Sequence, residues 1–169
     1  MEKNYFIFFF RIIFVFLLLC SSSSFGKEIQ VEVLRVLDGD TIDVLYDEQV
    51  LRVRLQGIDS PEWDQPFGQQ ATAHLSGLIQ GKEVSMFYES HDSYGRLLGK
   101  IFVDGYDINL RMIKDGFAWW YRYYRDQLSL EDQVLYGSAE TYSRSLKLGL
   151  WESDNPINPY EWRKLKKTF

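Results

Sequence analysis

The feature that most constrains the fold is the change of pattern between Leu51 and Glu62. From Leu51 onward, apolar residues alternate with Arg52, Arg54 and Gln56. This period of two predicts a β-strand with one face in a core and one cationic face outside. A turn rich in Gly, Asp and Pro follows at once, so two carboxylates stand at the end of this strand. The chain is therefore expected to be built on strands, with charged groups gathered at one strand end.

Four other segments have the β-branched and apolar composition of strands. Together with this one, the predicted strands are residues 29–37, 42–46, 50–58, 83–89 and 97–103. The first three are separated only by the turn residues 38–41 and the hairpin loop 47–49, which predicts a consecutive antiparallel meander. In such a meander the start of the second strand lies beside the end of the third. Asp40 and Asp59 are therefore expected to meet at one end of the sheet.

Apolar residues at helical spacing predict a helix over residues 67–80, a short helix over 108–115 and a last helix from the capping residue Ser129 to Lys147. Five strands with one helix after the third and others after the fifth match the pattern of a five-stranded OB-fold barrel, whose face commonly binds oligonucleotides. The predicted fold class is α+β, a five-stranded OB-fold β-barrel with about three α-helices. Periodicity alone also allows an open α+β sandwich.

Residues 1–26 have the layout of a secretory signal peptide. Lys3 precedes an apolar run over residues 12–20, and Ser24 and Gly26 are the small residues expected before a cleavage point. Cleavage is predicted after Gly26, with export to the periplasm or the extracellular space. No stable membrane association is expected if the signal is cleaved.

Two other interpretations of this segment stay open. Residues 5–20 could remain as a membrane anchor, although Arg11 interrupts them and they are shorter than the ~20 residues that span a bilayer. Lipidation at Cys20 would require a small residue before the cysteine, and Leu19 is not small. Cys20 is the only cysteine. A processed chain would therefore have no disulfide, no thiol nucleophile and no cysteine zinc site.

Residues 27–152 are predicted to form one compact domain and residues 153–169 a basic C-terminal tail. The tail contains two prolines followed by four Lys or Arg residues, and it is expected to be extended or frayed. Removal of residues 1–26 changes the formal charge from −5 to −6, because two basic residues and one acidic residue are lost. This acidity excludes a protein that coats nucleic acid by bulk attraction. Any phosphate binding needs a local positive cleft.

Five charged residues form a candidate hydrolytic site: Asp40, Asp59, Glu62, Arg54 and Arg96. Two aspartates with backbone and water oxygens suit Ca²⁺, and so few carboxylates predict a weak site with a Kd on the order of 0.1–1 mM. Glu62 is then free to orient or deprotonate a water molecule. The two guanidiniums match phosphate oxygens and would stabilise the charge that develops when a phosphodiester is attacked.

Each of these residues also has an ordinary structural interpretation, since Asp-Gly-Asp and Ser-Pro-Glu are common turns and an arginine on an outer strand face is usually solvated. Their joint placement at one sheet end favours the site. Convergence requires a break in the pleat, because alternation alone leaves Arg54 and Asp59 on opposite faces, and Gly57 is the predicted place. Zinc is less favoured because only His74 and His91 are available.

The stretch from Trp119 to Arg125 contains five aromatic rings that could stack the bases of a single strand. Each stacked base contributes about 1–3 kcal/mol. About half of the rings are expected to cover the barrel end, which leaves one or two to face a ligand.

Three spaced motifs resemble the staphylococcal nuclease, or thermonuclease, family. They are Asp38-Gly39-Asp40-Thr41, Arg54-Leu-Gln-Gly-Ile-Asp59-Ser-Pro-Glu62 and Asp92-Ser-Tyr94-Gly95-Arg96. The resemblance runs over roughly residues 29–152. It implies a five-stranded OB barrel and Ca²⁺-dependent hydrolysis of the phosphodiester bonds of DNA and RNA, releasing 3′-phosphate ends. The expected partners are DNA and RNA substrates, with single strands favoured, and the protein is expected to be a monomer.

The resemblance also implies roles for individual residues. Asp40 and Asp59 look like the calcium carboxylates, and Ser60 looks like a further ligand through its backbone carbonyl. Ser60 stands where the best-known member has threonine, which is harmless if only the carbonyl binds. Tyr94 resembles the aromatic residue that lies along the nucleotide, and Tyr124 matches another.

Arg54, Glu62 and Arg96 fall on the catalytic positions of the family. The segment 63–68 is shorter than the lysine-rich loop of the best-known member, and the chain is acidic where that relative is basic. Affinity for long nucleic acid is therefore expected to be lower and less dependent on salt. The alternative is a catalytically silent OB module that binds single strands or protein ligands. Such a module would be expected to lack one of the three catalytic residues, and all three are present.

Overall fold

The structure is a computed structural model that describes residues 27–167. The signal peptide predicted over residues 1–26 lies outside the described residues, as do the last two residues of the chain. Within the described part, no helix is both long enough and apolar enough to cross a bilayer.

The strands and helices alternate along the chain in the order expected for an α+β protein. The strands are β1 (Lys27–Asp38), β2 (Thr41–Tyr46), β3 (Gln49–Leu55), β4 (Ile58–Asp59), β5 (Glu83–His91), β6 (Leu97–Val103), β7 (Tyr106–Asp107) and β8 (Trp119–Trp120). The helices are α1 (Gly68–Ile79), α2 (Ile108–Lys114), α3 (Leu130–Ser145) and α4 (Pro159–Lys167). Two short 3₁₀ helices cover Arg122–Gln127 and Gly149–Glu152.

Five of the strands close into a mixed β-barrel. They lie in the order β3-β2-β1-β5-β6 with antiparallel neighbours, and β6 returns to pair with β3 in parallel. The predicted α+β barrel and the predicted meander of the first three strands are confirmed. The described residues contain four α-helices rather than about three, because the C-terminal segment forms the additional helix α4.

The barrel interior is filled by the apolar side chains that alternate along the strands. Val33, Ile42, Val53, Met86 and Ile101 are completely buried there. The parallel contact that closes the barrel depends on Gly99, because a Cβ at that position would lie 2.7 Å from Cγ1 of Val53. A glycine therefore lets β6 approach β3 closely enough to seal the barrel.

The strand predicted over residues 50–58 is interrupted before it reaches the acidic turn. β3 ends at Leu55, and β4 begins at Ile58 after a two-residue turn. Gly57 has a φ of 77°, a left-handed conformation that glycine adopts without strain. The break predicted at Gly57 is confirmed. Beyond the break, β4 leaves the barrel and pairs with β8. This change of direction brings Asp59, the last residue of β4, to the side of Arg54.

The prediction that the C-terminal tail is extended or frayed is wrong, because residues 159–167 form α4. The side chain of Asn158 accepts a hydrogen bond from the Tyr160 backbone N–H at 2.9 Å, which caps the first turn. Pro159 starts the helix, where its missing N–H is not required. Gln65 Nε2 donates to the carbonyl of Ile157 at 2.6 Å and so ties the segment to the loop after β4.

Candidate active site

A cleft of about 580 Å³ opens at the end of the barrel where β2 begins and β3 ends. All eight of the predicted site residues line it: Asp40, Asp59, Ser60, Arg54, Glu62, Arg96, Tyr94 and Tyr124. Three further residues that could contact a ligand, Tyr121, Tyr160 and Arg163, line the same cleft.

Two buried aspartates share one guanidinium at the base of the cleft. Nη2 of Arg54 lies 3.1 Å from Oδ2 of Asp40 and 3.0 Å from Oδ1 of Asp59. Nη1 of Arg54 donates to its neighbouring carbonyl of Leu55 at 2.7 Å, which fixes the plane of the fork. The break after β3 thus brings a strand residue, Arg54, against acids from two different turns.

The two turns are held together by the peptide N–H of Ser60, which donates to Oδ2 of Asp40 at 2.7 Å. The backbone N–H of Asp40 donates to Oδ1 of Asp38 at 3.0 Å, and this hydrogen bond closes the turn that carries Asp40. Gly39 makes this approach possible, because a Cβ there would lie 1.9 Å from Oγ of Ser60. The Asp-Gly-Asp turn is therefore both a structural turn and the support of the acidic pair.

Within the barrel, Asp40 and Asp59 share the positive charge of Arg54, and the second arginine at Asp59, Arg163, comes from α4. Burial raises the pKa of Asp40 well above its usual value, Arg54 opposes that rise, and the nearby carboxylates of Asp38 and Asp59 add to it. A raised pKa of this origin means that the buried carboxyl group holds its proton more readily than an exposed one. A cation placed against these oxygens would oppose that effect.

The donor set fits a hard divalent cation. Carboxylate and carbonyl oxygens are the ligands that such cations prefer, and Asp40, Asp59 and Ser60 carry them on adjoining turns. Across residues 27–167, no group of three or more His, Cys, Asp or Glu side chains is placed to hold a metal. A cation here would depend on two carboxylates with backbone and water oxygens. His74 is used elsewhere, since its Nε2 lies 2.9 Å from Oδ2 of Asp115.

Glu62 lies at the rim of the cleft on the loop between β4 and α1. Its backbone N–H donates to Oε1 of Gln65 at 3.1 Å, which fixes the main chain. Its side chain is 35% exposed, so one carboxylate can be reached by solvent while the two aspartates beneath it cannot. Glu62 is thus a partly exposed acid of the cleft that can contact a water molecule from the open side.

Arg96 is oriented by an acid of its own loop. Its Nε donates to Oδ2 of Asp92 at 2.6 Å, and its guanidinium lies 5.6 Å from the ring centre of Tyr94. Burial disfavours the ionised form of Asp92, but hydrogen bonds from the backbone and side chain of Arg96 outweigh that effect and lower its pKa. Asp92 therefore stays charged and holds Arg96 beside the cleft.

The aromatic stretch divides into a buried part and a cleft part. Trp119 is buried, whereas Tyr121 and Tyr124 line the cleft with their ring centres 5.4 Å apart. Tyr124 is 47% exposed and Tyr94, on the other side of the cleft, is 84% exposed. The expectation that one or two of the rings would face a ligand agrees with this arrangement.

Arg163 of α4 is a cleft residue that the sequence did not point to. Its Nη1 donates to Oε1 of Glu62 at 2.7 Å, and its Nη2 donates to Oδ2 of Asp59 at 3.1 Å. Partial burial lowers the pKa of Arg163, but the hydrogen bonds and charge of Asp59 and Glu62 raise it by more, so the side chain stays cationic. The Asn-Pro pair at residues 158–159 was the available signal for a helix start.

Comparison with known protein families gives a match over the later part of the barrel. A family described as staphylococcal nuclease homologue matches residues 52–153, more than half of the 169 residues. The chain belongs to the staphylococcal nuclease family. The resemblance carried by the three motifs is thus confirmed. The match includes Arg54, Asp59 and Glu62, whereas Asp40 precedes it and α4 follows it.

Relatives of this staphylococcal nuclease homologue carry related names. A protein of Escherichia coli O157:H7 named "Uncharacterized endonuclease" is 39% identical over 140 residues, which cover 82% of this chain and 88% of the relative. "Micrococcal nuclease" of Shigella flexneri is 40% identical over 145 residues, covering 80% of this chain and 81% of the relative. "Staphylococcal-like nuclease CAN1" of Arabidopsis thaliana is 38% identical over 116 residues, covering 69% and 34%.

Proposed function

We propose that this chain is a calcium-dependent nuclease that hydrolyses the phosphodiester bonds of DNA and RNA in the cleft. Its membership of the staphylococcal nuclease family and its endonuclease and micrococcal nuclease relatives make it a nuclease. The observation that carries the finer proposal is the meeting of Asp40, Asp59, Glu62, Arg54 and Arg96 around one cleft.

The cation would be held by the two aspartates and by the carbonyl of Ser60. A bound calcium ion supplies positive charge that neutralises and orients the scissile phosphate. Asp40 and Asp59 are buried, and the Ser60 N–H and Arg54 hold their carboxylates in place. With only two carboxylates, the affinity is expected to be weak, on the order of 0.1–1 mM.

Glu62 orients the attacking water and accepts its proton in this mechanism. Its partly exposed carboxylate lines the same cleft as the two aspartates, so a water molecule bound to it would lie close to a bound phosphate. Arg54 and Arg96 stand at the base and at the side of the cleft, and their guanidiniums stabilise the negative charge that grows on the phosphate oxygens as the bond to the 5′ oxygen breaks. The product of that cleavage carries a 3′-phosphate end.

The substrate would lie between aromatic rings on the two sides of the cleft. Tyr94 and Tyr124 are exposed enough to stack on bases or to lie along a nucleotide. Rings that stack on bases require unpaired bases, so single strands are the favoured form. The overall acidity of the chain leaves this cleft as the place where nucleic acid is bound.

Export through the predicted signal peptide would deliver the enzyme, as a monomer, to a calcium-containing compartment. Residues 5–20 as a retained anchor are the alternative location. N-terminal sequencing of the protein recovered outside the cytoplasm distinguishes the two: a start near Lys27 supports cleavage, and a start at Met1 in a membrane fraction supports the anchor.

The test of the nuclease proposal is cleavage of single-stranded DNA and RNA at neutral to alkaline pH, with calcium and with chelator. Cleavage with calcium and none with chelator is expected. Intact nucleic acid under both conditions would favour the catalytically silent OB module instead. Equal cleavage under both conditions would show that the reaction does not need the cation.

Glu62→Gln tests the assignment of the base. The variant is expected to lose about 10²- to 10⁴-fold in kcat while it retains binding of a single-stranded oligonucleotide, because the amide keeps the shape of the side chain and cannot accept the proton. Glu28→Gln is the matched control, since Glu28 is an exposed carboxylate on β1 away from the cleft. Cleavage by Glu62→Gln at the rate of the control would remove Glu62 from this role.

A further inference from the structure

Arg163 places a third guanidinium in the cleft, and it contacts the two kinds of acid that the proposed mechanism uses. Its Nη1 donates to Oε1 of Glu62 at 2.7 Å and lies 3.3 Å from Oδ1 of Asp59, and its Nη2 lies 3.1 Å from Oδ2 of Asp59. This forked contact is the geometry in which arginine binds carboxylates most strongly. Arg163 therefore bridges the proposed cation ligand and the proposed base.

The helix that carries Arg163 is docked on the loop between β4 and α1 by polar contacts. Nε1 of Trp162 donates to Oδ1 of Asp64 at 3.3 Å, and Lys166 pairs with the same carboxylate. Only Pro159 is buried among the residues of α4. A segment with few buried apolar groups opens at a small free-energy cost compared with global unfolding. The helix can therefore leave the cleft while the barrel stays folded.

Arg163 and a divalent cation need the same oxygens. Oδ1 of Asp59 accepts from Arg54, and Oδ2 accepts from Arg163. A calcium ion about 2.3–2.6 Å from Oδ2 of Asp59 would lie close to the guanidinium that contacts the same oxygen, and the two positive charges repel. Arg54 belongs to the barrel, so Arg163 is the partner of Asp59 that can move away.

Given the calcium site proposed above, we propose that Arg163 is an internal competitor of the cation. With α4 docked, its guanidinium occupies Asp59 and Glu62, and calcium binding displaces it and frees both acids for the reaction. The helix thereby raises the calcium concentration that the enzyme needs. The nuclease is held inactive where calcium is scarce and is released where calcium is abundant.

Calcium binding measured by titration calorimetry tests this competition without using activity. Arg163→Ala is expected to bind calcium about tenfold more tightly than the unaltered protein, because a positive charge next to the ligands is removed. The calcium affinity of Arg163→Lys is expected to lie between those of the unaltered protein and Arg163→Ala, since a lysine keeps the charge but cannot bridge both acids with a planar fork.

Lys167→Ala is the matched control, because Lys167 lies one turn further along α4 and is exposed. Among the described residues, it makes no ion pair with a carboxylate. It is expected to bind calcium as the unaltered protein does. An increase in affinity equal to that of Arg163→Ala would mean that net charge, and not occupation of the site by Arg163, controls the affinity.

Hydrogen exchange of the backbone of residues 159–167 provides the second measurement. In the unaltered protein, calcium is expected to speed exchange in α4 while the barrel strands stay protected. In Arg163→Ala, α4 is expected to exchange quickly with or without calcium. Exchange in α4 that slows when calcium binds would overturn the proposal, because it would mean that the cation and the docked helix coexist.

The outcomes separate this inference from the proposed function. Equal calcium affinity in the unaltered protein and in Arg163→Ala keeps the calcium site and refutes the competition. If Arg163→Ala also raises KM for an oligonucleotide, Arg163 binds substrate phosphate instead. No calcium binding by either protein refutes the calcium site itself, and the competition with it.

Discussion

Asp40 and Asp43 lie three residues apart, are 6% and 5% exposed, and both contact arginine. The pKa of Asp40 is nevertheless raised, whereas that of Asp43 is lowered. Asp43 stands between Arg35 on β1 and Arg52 on β3 as their direct cross-strand neighbour. Hydrogen bonds from Arg52, and then from Arg35, outweigh burial and lower its pKa. Burial is the largest effect on Asp40 and raises its pKa, although Arg54, which it shares with Asp59, and the Ser60 N–H oppose that rise.

The difference lies first in the loss of solvent around the carboxyl group, which is the largest effect on Asp40, and then in the number of arginines that contact each acid. One carboxylate between two guanidiniums has a partner on each side, and it holds three strands in register. Asp40 and Asp59 share one barrel guanidinium, and the second arginine at Asp59, Arg163, comes from α4. Similar residues thus form a stabilising cluster around Asp43 and the proposed cation site around Asp40 and Asp59. The predictions below test that contrast.

The largest expected effect is on activity. Asp40→Asn is expected to lower kcat/KM for single-stranded DNA by at least ~10²-fold, because it removes a ligand of the proposed cation. Asp43→Asn, the matched change three residues away, is expected to stay within about threefold at 25 °C, since Asp43 does not line the cleft. A greater loss of kcat/KM in Asp43→Asn than in Asp40→Asn would mean that Asp43, and not Asp40, serves the reaction.

Calcium is expected to stabilise the folded protein through the proposed site at Asp40 and Asp59, and not through Asp43. At about ten times its Kd, a ligand that binds the native state adds about 1.4 kcal/mol, or roughly 3–6 °C in Tm for a chain of this size. The unaltered protein and Asp43→Asn should both show this shift by scanning calorimetry. Asp40→Asn should not. A full shift in Asp40→Asn would place the cation elsewhere.

Loss of the ion pairs that Asp43 makes with Arg35 and Arg52 is expected to lower the stability of the fold rather than the activity. Asp43→Asn should cost about 1 kcal/mol at neutral pH, a modest value because both arginines are more than half exposed. Since the folded-state pKa of Asp43 is lowered, its contribution is present above the unfolded value near 3.9 and is lost as the pH falls through the folded value.

Urea unfolding of the two proteins between pH 3 and 7 checks this. The free energies of unfolding should differ at pH 7 and converge toward pH 3. A gap that widens on acidification would contradict the charge-based explanation.

The smallest effect is expected for Arg35→Ala. Asp43 keeps Arg52, whose Nε donates to Oδ1 at 2.9 Å, so the carboxylate remains paired. Tm should fall by less than about 2 °C. A drop as large as that of Asp43→Asn would mean that the two arginines are not interchangeable partners.

Much of the cleft could be predicted because it depends on local patterns. The alternation in the third strand placed Arg54 on the outer face, and the meander placed Asp40 beside the end of that strand, at Leu55. Gly57 marked the break that brings Arg54 and Asp59 together. Each of these inferences uses residues adjacent in sequence or joined by one short turn, where backbone geometry leaves few alternatives.

What could not be predicted depends on contacts between distant segments. The helix α4 is short and polar, and it forms against a loop about a hundred residues away through pairs such as Gln65 with Ile157 and Glu62 with Arg163. The pairing of β4 with β8 involves only two residues on each side, which is too short for any periodicity. Arg52 looked like a solvated strand residue because its partner Asp43 lies on another strand.

The most direct test of the central claim is the anomalous difference density of a crystal of this protein grown with calcium. A peak is expected between the carboxylates of Asp40 and Asp59, about 2.3–2.6 Å from an oxygen of each and from the carbonyl of Ser60. A well-ordered cleft without a peak at that position, at a calcium concentration that supports cleavage, would contradict the account.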